Sequence, residues 1–410
     1  MNRRILLAFA LGSLVPLTSS AGVETPAVKL GATGETYFTD WLNGFYAKAL
    51  AAGISPSVLD RQLAGLSPEP RIGALDARQP EIARPLSDYV KGSMSEARIA
   101  AGRARRATIT QFPAIEQSYG VPRDILIGVW AMESAFGAVQ GNFDVVRALA
   151  TLAANDRRRA WAENELIAAL KILAFGEVPR ARLKGSWAGA MGQTQLLPST
   201  YLASAVDLEG GGAPDIWGSP ADALASAANL LAKAGWRRGE GWTREVILPS
   251  GFDFGLSEGP KEVPAWWQDR GVRRADELAW AAPESGARCV LLLPTGATGP
   301  AFLALPNHFA IRAYNNSVAY ALTVGLLADR FAGLGGLRTP WPSETALALS
   351  ERIEAQTALS QLGFNPGPID GIIGLGARQA LREWQKSKHL PADGYLSADM
   401  VRRLRASTHL

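Results

Sequence analysis

Residues 121–137 read Val121-Pro122-Arg123-Asp124-Ile125-Leu126-Ile127-Gly128-Val129-Trp130-Ala131-Met132-Glu133-Ser134-Ala135-Phe136-Gly137. Pro122 and Asp124 are the residues expected to open a helix, the proline pre-setting φ and the carboxylate meeting the positive end of the dipole. Leu126, Val129 and Trp130 then precede Glu133 by helical spacings, so all four side chains share one face. An acid on an apolar face loses water. Desolvation penalises its charged form, which would hold the carboxyl protonated near neutrality and make it a general acid. The competing reading is a boundary glutamate that reaches solvent or pairs with an arginine.

The chain has 410 residues, enough for two or three domains with separate cores. Hydrophobic residues at 47% and charged residues at 20% are ordinary for globular proteins and exclude extensive disorder. The formal charge of +4 includes Arg3 and Arg4, and so small an excess excludes a nucleic-acid partner. Asn2-Arg3-Arg4, the apolar run from Ile5 and the small residues Ser19-Ser20-Ala21 read as a signal peptide over 1–21. That run is too short for a membrane anchor, and it holds no cysteine for lipid attachment. Periplasmic export is the expectation, with a buried first helix as the alternative. Cys289 is the single cysteine and has no disulfide partner within the chain. His308, His389 and His409 lack ligand spacing, so neither a metal nor a cofactor is expected.

From about Phe38 to Ala232 the pattern is helical. The aromatic stripe Phe38, Trp41 and Phe45 reads as core, and Ile99, Arg103 and Arg106 lie on a basic helix. After Trp242 the runs Glu245–Leu248, Arg288–Leu293 and Phe302–Leu305 look like strands between Gly/Pro turns, which predicts a small β-containing subdomain over about 242–312. Helical pattern resumes near Asn316 and ends at Phe331. Gly333-Leu334-Gly335-Gly336, Pro340 and Pro342 make residues 333–345 a linker to a C-terminal unit at 346–410. The fold class expected is mainly α, with that β insertion.

Two further segments carry chemistry. Lys184-Gly185-Ser186-Trp187-Ala188-Gly189-Ala190-Met191-Gly192-Gln193-Thr194-Gln195 combines glycines that permit close approach with uncharged donors and acceptors, a composition suited to a sugar or to a tight helix contact. Arg312-Ala313-Tyr314-Asn315-Asn316-Ser317, with Tyr320 beyond, offers an aromatic face and amides for an N-acetylated pyranose, or a helix cap.

In this order and separation, the three segments resemble the B-type family of membrane-bound and soluble lytic murein transglycosylases, of the lysozyme-like superfamily. The likeness covers about residues 35–332, through Gly53-Ile54, Leu75-Asp76, Gln79-Pro80-Glu81, Ile115-Glu116 and Tyr119-Gly120-Val121-Pro122. The block from Ser186 to Gln195 is its most specific part. The resemblance implies a lysozyme-like helical catalytic domain, Glu133 as the single catalytic acid, and Ser186, Gln195, Tyr314, Asn315 and Tyr320 as sugar contacts. It also implies that Arg157 and Arg158 lie near the peptide stem, although a run of arginines equally suits a solvated face. Leu196 departs from the family's usual Phe. The loop from Asp207 resembles a calcium-binding region in some relatives, but Gly211 and Ala213 replace two of its ligands, so no calcium is expected. Residues 358–394, with Gly367-Pro368-Ile369-Asp370-Gly371 and Trp384-Gln385, resemble the three-helix peptidoglycan-binding module of wall enzymes.

The activity implied is cleavage of the bond between N-acetylmuramic acid and N-acetylglucosamine in peptidoglycan. Glu133 would protonate the glycosidic oxygen, then take the proton of the C6 hydroxyl as it closes on C1, leaving a 1,6-anhydro end. A lysozyme-type hydrolase and a wall-binding scaffold without catalysis are the rivals. Glycan strands are the expected partner, together with proteins of wall synthesis or remodelling.

Overall fold

The computed structural model describes residues 32–77, 84–155 and 158–408, with side chains from residue 37 onward. The expected signal peptide, Gln79-Pro80-Glu81 and Arg157 lie outside the described residues. Among the described residues two compact units form: one comprises residues 32–77, 105–155 and 158–230, the other 84–104 and 231–408.

The first unit is helical. Its centre is the helix Arg123–Ser134, which is buried over almost its whole circumference rather than along one stripe; Leu126, Ile127 and Val129 have no exposed surface. The helices Val145–Ala154 and Arg159–Phe175 pack on each other, and Leu149, Leu152, Leu166 and Leu170 on them are buried. Asp144 caps the first of these by accepting from Arg147 N at 3.0 Å, and Arg180 pairs with the same carboxylate at 3.0 Å. Phe38, Trp41 and Phe45 are buried as the stripe predicts, and Trp41 Nε1 donates to Glu163 at 2.9 Å. A two-stranded antiparallel sheet joins β1 (Phe143–Asp144) to β2 (Lys184–Gly185), with Phe143 opposite Gly185. That short ladder brings the glycine-rich segment beside the chain leaving the Glu133 helix.

The second unit holds a four-stranded antiparallel sheet of β3 (Thr243–Ile247), β4 (Arg273–Arg274), β5 (Val290–Leu292) and β6 (Ala301–Ala304), in the order β4-β3-β6-β5. Val246 pairs with Ala301 and Leu291 with Leu303. Trp267, Cys289, Leu291 and Leu305, all without exposed surface, fill its core. The helices Pro306–Tyr314 and Val318–Phe331 follow.

Three helices, Leu349–Gln361, Leu375–Ser387 and Ala398–Thr408, close the chain around Leu359, Leu381, Trp384 and Leu404. Two Asp-Gly turns between them are held by buried glutamines. Gln356 Oε1 accepts from Asp370 N and Gly371 N, and Gln385 Oε1 accepts from Gly394 N at 2.8 Å. Residues 333–345, read as a linker, hold no helix or strand but are bonded along their length. The Glu245 carboxylate accepts from Arg338 N at 2.8 Å and Thr339 N at 2.7 Å, and the Trp341 ring lies 6.1 Å from that of Phe302. The module is also clamped to the sheet: Glu258 accepts from Arg378 at 2.7 and 2.9 Å and from Arg382 at 2.6 Å. Burial would raise the Glu258 carboxyl, but these guanidinium groups hold it below its ordinary value.

Candidate active site

Glu133 is 4% exposed, one residue from the end of its helix. The chain leaves that helix through Ala135, Phe136 and Gly137, with φ of +50°, +61° and +85°. Two consecutive non-glycine residues in the left-handed region carry strain that the surroundings must fix. Those surroundings are visible. Ser134 Oγ donates to Gln193 O and accepts from Gly137 N at 2.8 Å, while Phe136 N bonds back to Trp130 O. A Cβ on Gly137 would sit 2.6 Å from Gln193 Oε1, so the turn and the glycine-rich segment are in direct contact.

The glycines of that segment serve the chain's own close approaches. A Cβ on Gly185 would meet Ala190 O at 2.1 Å, on Gly189 Leu149 Cδ2 at 2.8 Å, and on Gly192 Ile216 O at 2.6 Å. The reading of the glycines as room for a ligand is corrected accordingly: protein fills the space above all three. Ser186, half-buried, bonds within its own turn, Ala190 N donating to its Oγ at 3.1 Å. Gln195, 6% exposed and at φ +51°, donates Nε2 to Gly192 O at 2.8 Å and to Gln140 O at 3.0 Å. Leu196 is 1% exposed beneath the loop.

Beside these residues lies a cleft of about 410 Å³ lined by Arg105, Trp130, Phe136, Gly137, Gln140 and Gln193 among others. Trp130 stands one turn before Glu133 on its helix and Gly137 lies in the turn after the helix ends, although Glu133 itself is not among the lining residues. Trp130 meets Phe136 edge to face at 5.8 Å, and Arg105 stacks over Trp130 at 5.9 Å. The buried Trp130 Nε1 has no hydrogen-bond partner in the protein. Gln140 was not legible in the sequence. Its Nε2 bridges Gly137 O and Trp217 O, both at 3.1 Å, and Trp217 Nε1 donates to Lys184 O at 2.9 Å. No motif marks either residue; only the three-residue step from Gly137 places Gln140 near the site.

Burial alone does not single out Glu133, for Glu163 and Glu165 are 8% and 6% exposed. Their bonds give them other work. Glu163 takes Lys48 at 2.7 Å and the Trp41 indole, and Glu165 accepts from Ser199 N and Oγ at the start of the helix Pro198–Ser204. Burial raises the Glu165 carboxyl above its ordinary value against those two bonds.

Arg158 is turned inward, its side chain 9% exposed and 3.5 Å from Asp76, so its charge is met inside the unit and the solvated-face reading fails. Asp207 accepts from Gly211 N and Gly212 N at 2.9 and 2.7 Å, bonds that lower its carboxyl, and Asp222 accepts from Leu208 N and Asp215 N. Among the described residues no group of three or more His, Cys, Asp or Glu is arranged to hold a metal ion.

Tyr314, Asn315 and Tyr320 belong to the second unit. Tyr314 ends the helix Pro306–Tyr314, and Ser317 caps the next one by accepting from Tyr320 N at 3.2 Å. Tyr320 is 2% exposed. Asn315 is 3% exposed, and its Oδ1 has no partner in the protein. Such an orphaned acceptor calls for an explanation.

Comparison with known proteins identifies the family of the fold. Residues 37–329 match the transglycosylase SLT domain family and residues 349–404 a putative peptidoglycan binding domain. The membrane-bound lytic murein transglycosylase B of Escherichia coli is 33% identical over 217 residues, 53% of this chain, and the match spans 58% of that protein's length. Crystal structures of Pseudomonas aeruginosa SltB3, in complex with NAG-anhNAM-pentapeptide and with NAG-NAM-pentapeptide, align at 45% identity. Both have a TM-score of 0.85 and cover 90% of this chain and 99% of theirs. With its helical body and its glycine-rich segment locked to the Glu133 turn, the chain belongs to the transglycosylase SLT domain family.

Proposed function

We propose that the protein is a peptidoglycan lytic transglycosylase that cleaves the β-1,4 bond between N-acetylmuramic acid and N-acetylglucosamine and leaves a 1,6-anhydro end. The observation that carries this is the burial of the Glu133 carboxyl at a strained helix end that Ser134 ties to the glycine-rich segment. In its protonated form this carboxyl donates to the glycosidic oxygen. The resulting carboxylate takes the C6 hydroxyl proton as that oxygen closes on C1. Atoms balance within one sugar ring, and no water is consumed. Intramolecular attack supplies the effective concentration that an external nucleophile lacks, so a second carboxylate is not required.

Around this centre, Ser186 and Gln195 shape the sugar-facing wall, with Trp130 Nε1 as a further donor. In the second unit, Tyr314 offers a half-buried ring to a sugar, and Tyr320 lies buried further along the next helix. The Asn315 acceptor suits the N–H of an acetamido group, the substituent that separates amino sugars from plain hexoses. Among the described residues no helix is long and apolar enough to cross a membrane, and we assign the enzyme to the periplasm on its basic-apolar leader.

The test is mass spectrometry of fragments released from purified murein. Anhydro ends from the wild type, and none from Glu133→Gln at unchanged murein binding, support the assignment. Reducing ends indicate a hydrolase, and equal release by the variant removes Glu133 from the chemistry.

A further inference from the structure

Gln140 lies in the first unit, half-buried between the strained turn after Glu133 and the strand β1, on the wall of the cleft of about 410 Å³. Its side-chain Nε2 donates to Gly137 O and to Trp217 O, both at 3.1 Å, and its main-chain oxygen accepts from Gln195 Nε2 at 3.0 Å. Both N–H groups of the amide are therefore used. The two carbonyls also fix which end of the amide is nitrogen, since an oxygen placed there would face two oxygens. Gly137 is held on both sides: its N–H donates to Ser134 Oγ at 2.8 Å, and its carbonyl accepts from Gln140. The far end of the bridge is itself anchored. Trp217 N donates to Asp215 Oδ1 at 3.2 Å and its indole Nε1 to Lys184 O at 2.9 Å, while Trp217 O accepts a further bond from Gln193 Nε2 at 3.3 Å. Gln140 therefore joins three parts of the site: the turn that follows the proposed acid, the Trp217 loop, and Gln195.

We propose that Gln140 is a positioning residue for Glu133, its amide bridging the left-handed turn after the acid to the anchored Trp217 carbonyl and so holding the acid in register with Gln195. The inference rests on the reading of Glu133 as the general acid. Glu133 is one residue from its helix end, so the path of the turn decides where its carboxyl sits. That path is strained: Ala135 and Phe136 both have positive φ, and such a backbone relaxes unless its neighbours oppose it. The Ser134 bond fixes the turn at one point, about which it can still pivot. A second bond, to the carbonyl of the same Gly137, removes the pivot. Proton transfer needs this more than binding does. A displacement of about 1 Å between an acid and its target atom costs roughly a hundredfold in rate, whereas sugar contacts made by other side chains survive it. Loss of the Gln140 amide should therefore appear in turnover and spare affinity.

The test is steady-state kinetics of the full chain on soluble, uncrosslinked glycan strands, with three variants whose folded state is checked by circular dichroism at the assay temperature. Gln140→Met keeps the length of the side chain and donates nothing. Gln140→Glu keeps the shape and sets oxygens against the two carbonyls, and Gln140→Lys keeps an N–H donor. In the Met and Glu variants kcat is expected to fall about tenfold or more with KM within about twofold of the wild type, and the Lys variant is expected to recover most of the loss. That order follows the donors. A role in packing alone would instead favour the isosteric Glu over Lys. Because Glu matches Gln in volume, its variant keeps the test available if the Met variant does not fold. Wild-type kcat in a folded Met or Glu variant overturns the proposal, as does a raised KM at unchanged kcat, which would make Gln140 a sugar contact. Glu133→Gln is assayed alongside: if it is inactive while the Gln140 variants turn over normally, only the positioning role fails, and if it is active the assignment of the acid fails.

Discussion

The Ser134 hydroxyl donates to the backbone carbonyl of Gln193, fifty-nine residues away, and accepts from Gly137 N. One oxygen therefore closes the left-handed turn after Glu133 and locks that turn to the glycine-rich segment. The side chain beside the proposed acid acts on its placement, which is what a positioning residue requires.

Ser134→Ala leaves a buried carbonyl and a turn amide without their partner. A cost of about 1–3 kcal/mol in stability is expected, measured by urea unfolding. Turnover should fall by an order of magnitude or more with little change in murein binding, because the acid shifts while the binding surfaces remain. A variant as active as the wild type would separate the turn from catalysis.

Gly192 tests the glycine-rich segment from the other side. Its φ is +70°, and an added Cβ would lie 2.6 Å from Ile216 O, a backbone atom that cannot swing away. Gly192→Ala should cost about 2 kcal/mol or more through overpacking and the left-handed backbone together, seen as a lowered unfolding midpoint and reduced lysis. A glycine retained only to admit sugar would give a stable variant with a raised KM.

Much of this arrangement was legible beforehand, and the reasons differ by residue. Glu133 stood out because a carboxylate breaks an apolar helical pattern, and Phe38, Trp41 and Phe45 because aromatic residues at helical spacing have few other uses. β5 falls within the run that announced it and β3 and β6 overlap theirs, each starting one or two residues earlier, whereas β4 is Arg273–Arg274, two charged residues with no alternation to detect. The bonded course of residues 333–345 was hidden, since Gly/Pro-rich composition is the same for a free tether and for one held by the distant Glu245. Arg158 misled in the same way. Three consecutive arginines suggest a solvated face, and only the fold brings Asp76 to meet the middle one.

Glu258 joins the sheet subdomain to the C-terminal module. Glu258→Ala leaves Arg378 and Arg382, 31% and 10% exposed, without their carboxylate. The expected cost is about 3 kcal/mol, the lower end for breaking a buried pair because Arg378 is partly hydrated. Proteolysis between 333 and 345 should then accelerate, as the segment loses the docked module at its far end. Unchanged cleavage kinetics would show that the other bonds of the segment suffice.

Cys289 has no exposed surface, and burial pushes its thiol up to about 12. Thiolate is the reactive form, so the native protein should resist a disulfide reagent at pH 8 and react fully in denaturant. Rapid labelling of the native state would mean that the sheet core opens.

His308 has no exposed surface, both ring nitrogens lack partners, and its ring stacks on Trp242 at 6.3 Å. Burial, aided by Arg312, lowers its pKa from 6.5 to about 3. As pH falls from 6.5 towards 3, the unfolded chain binds a proton at this residue that the native state refuses, so native stability declines across that window. Above pH 6.5 both states are neutral and the residue contributes no pH dependence. His308→Phe keeps the stacked ring and removes the titration. Relative to the wild type, the variant should therefore gain about 2–3 kcal/mol between pH 6.5 and pH 4.5, measured by urea unfolding at each pH. Parallel pH profiles for the two proteins would mean that His308 is protonated in the native core, which would require an acid or a water beside it.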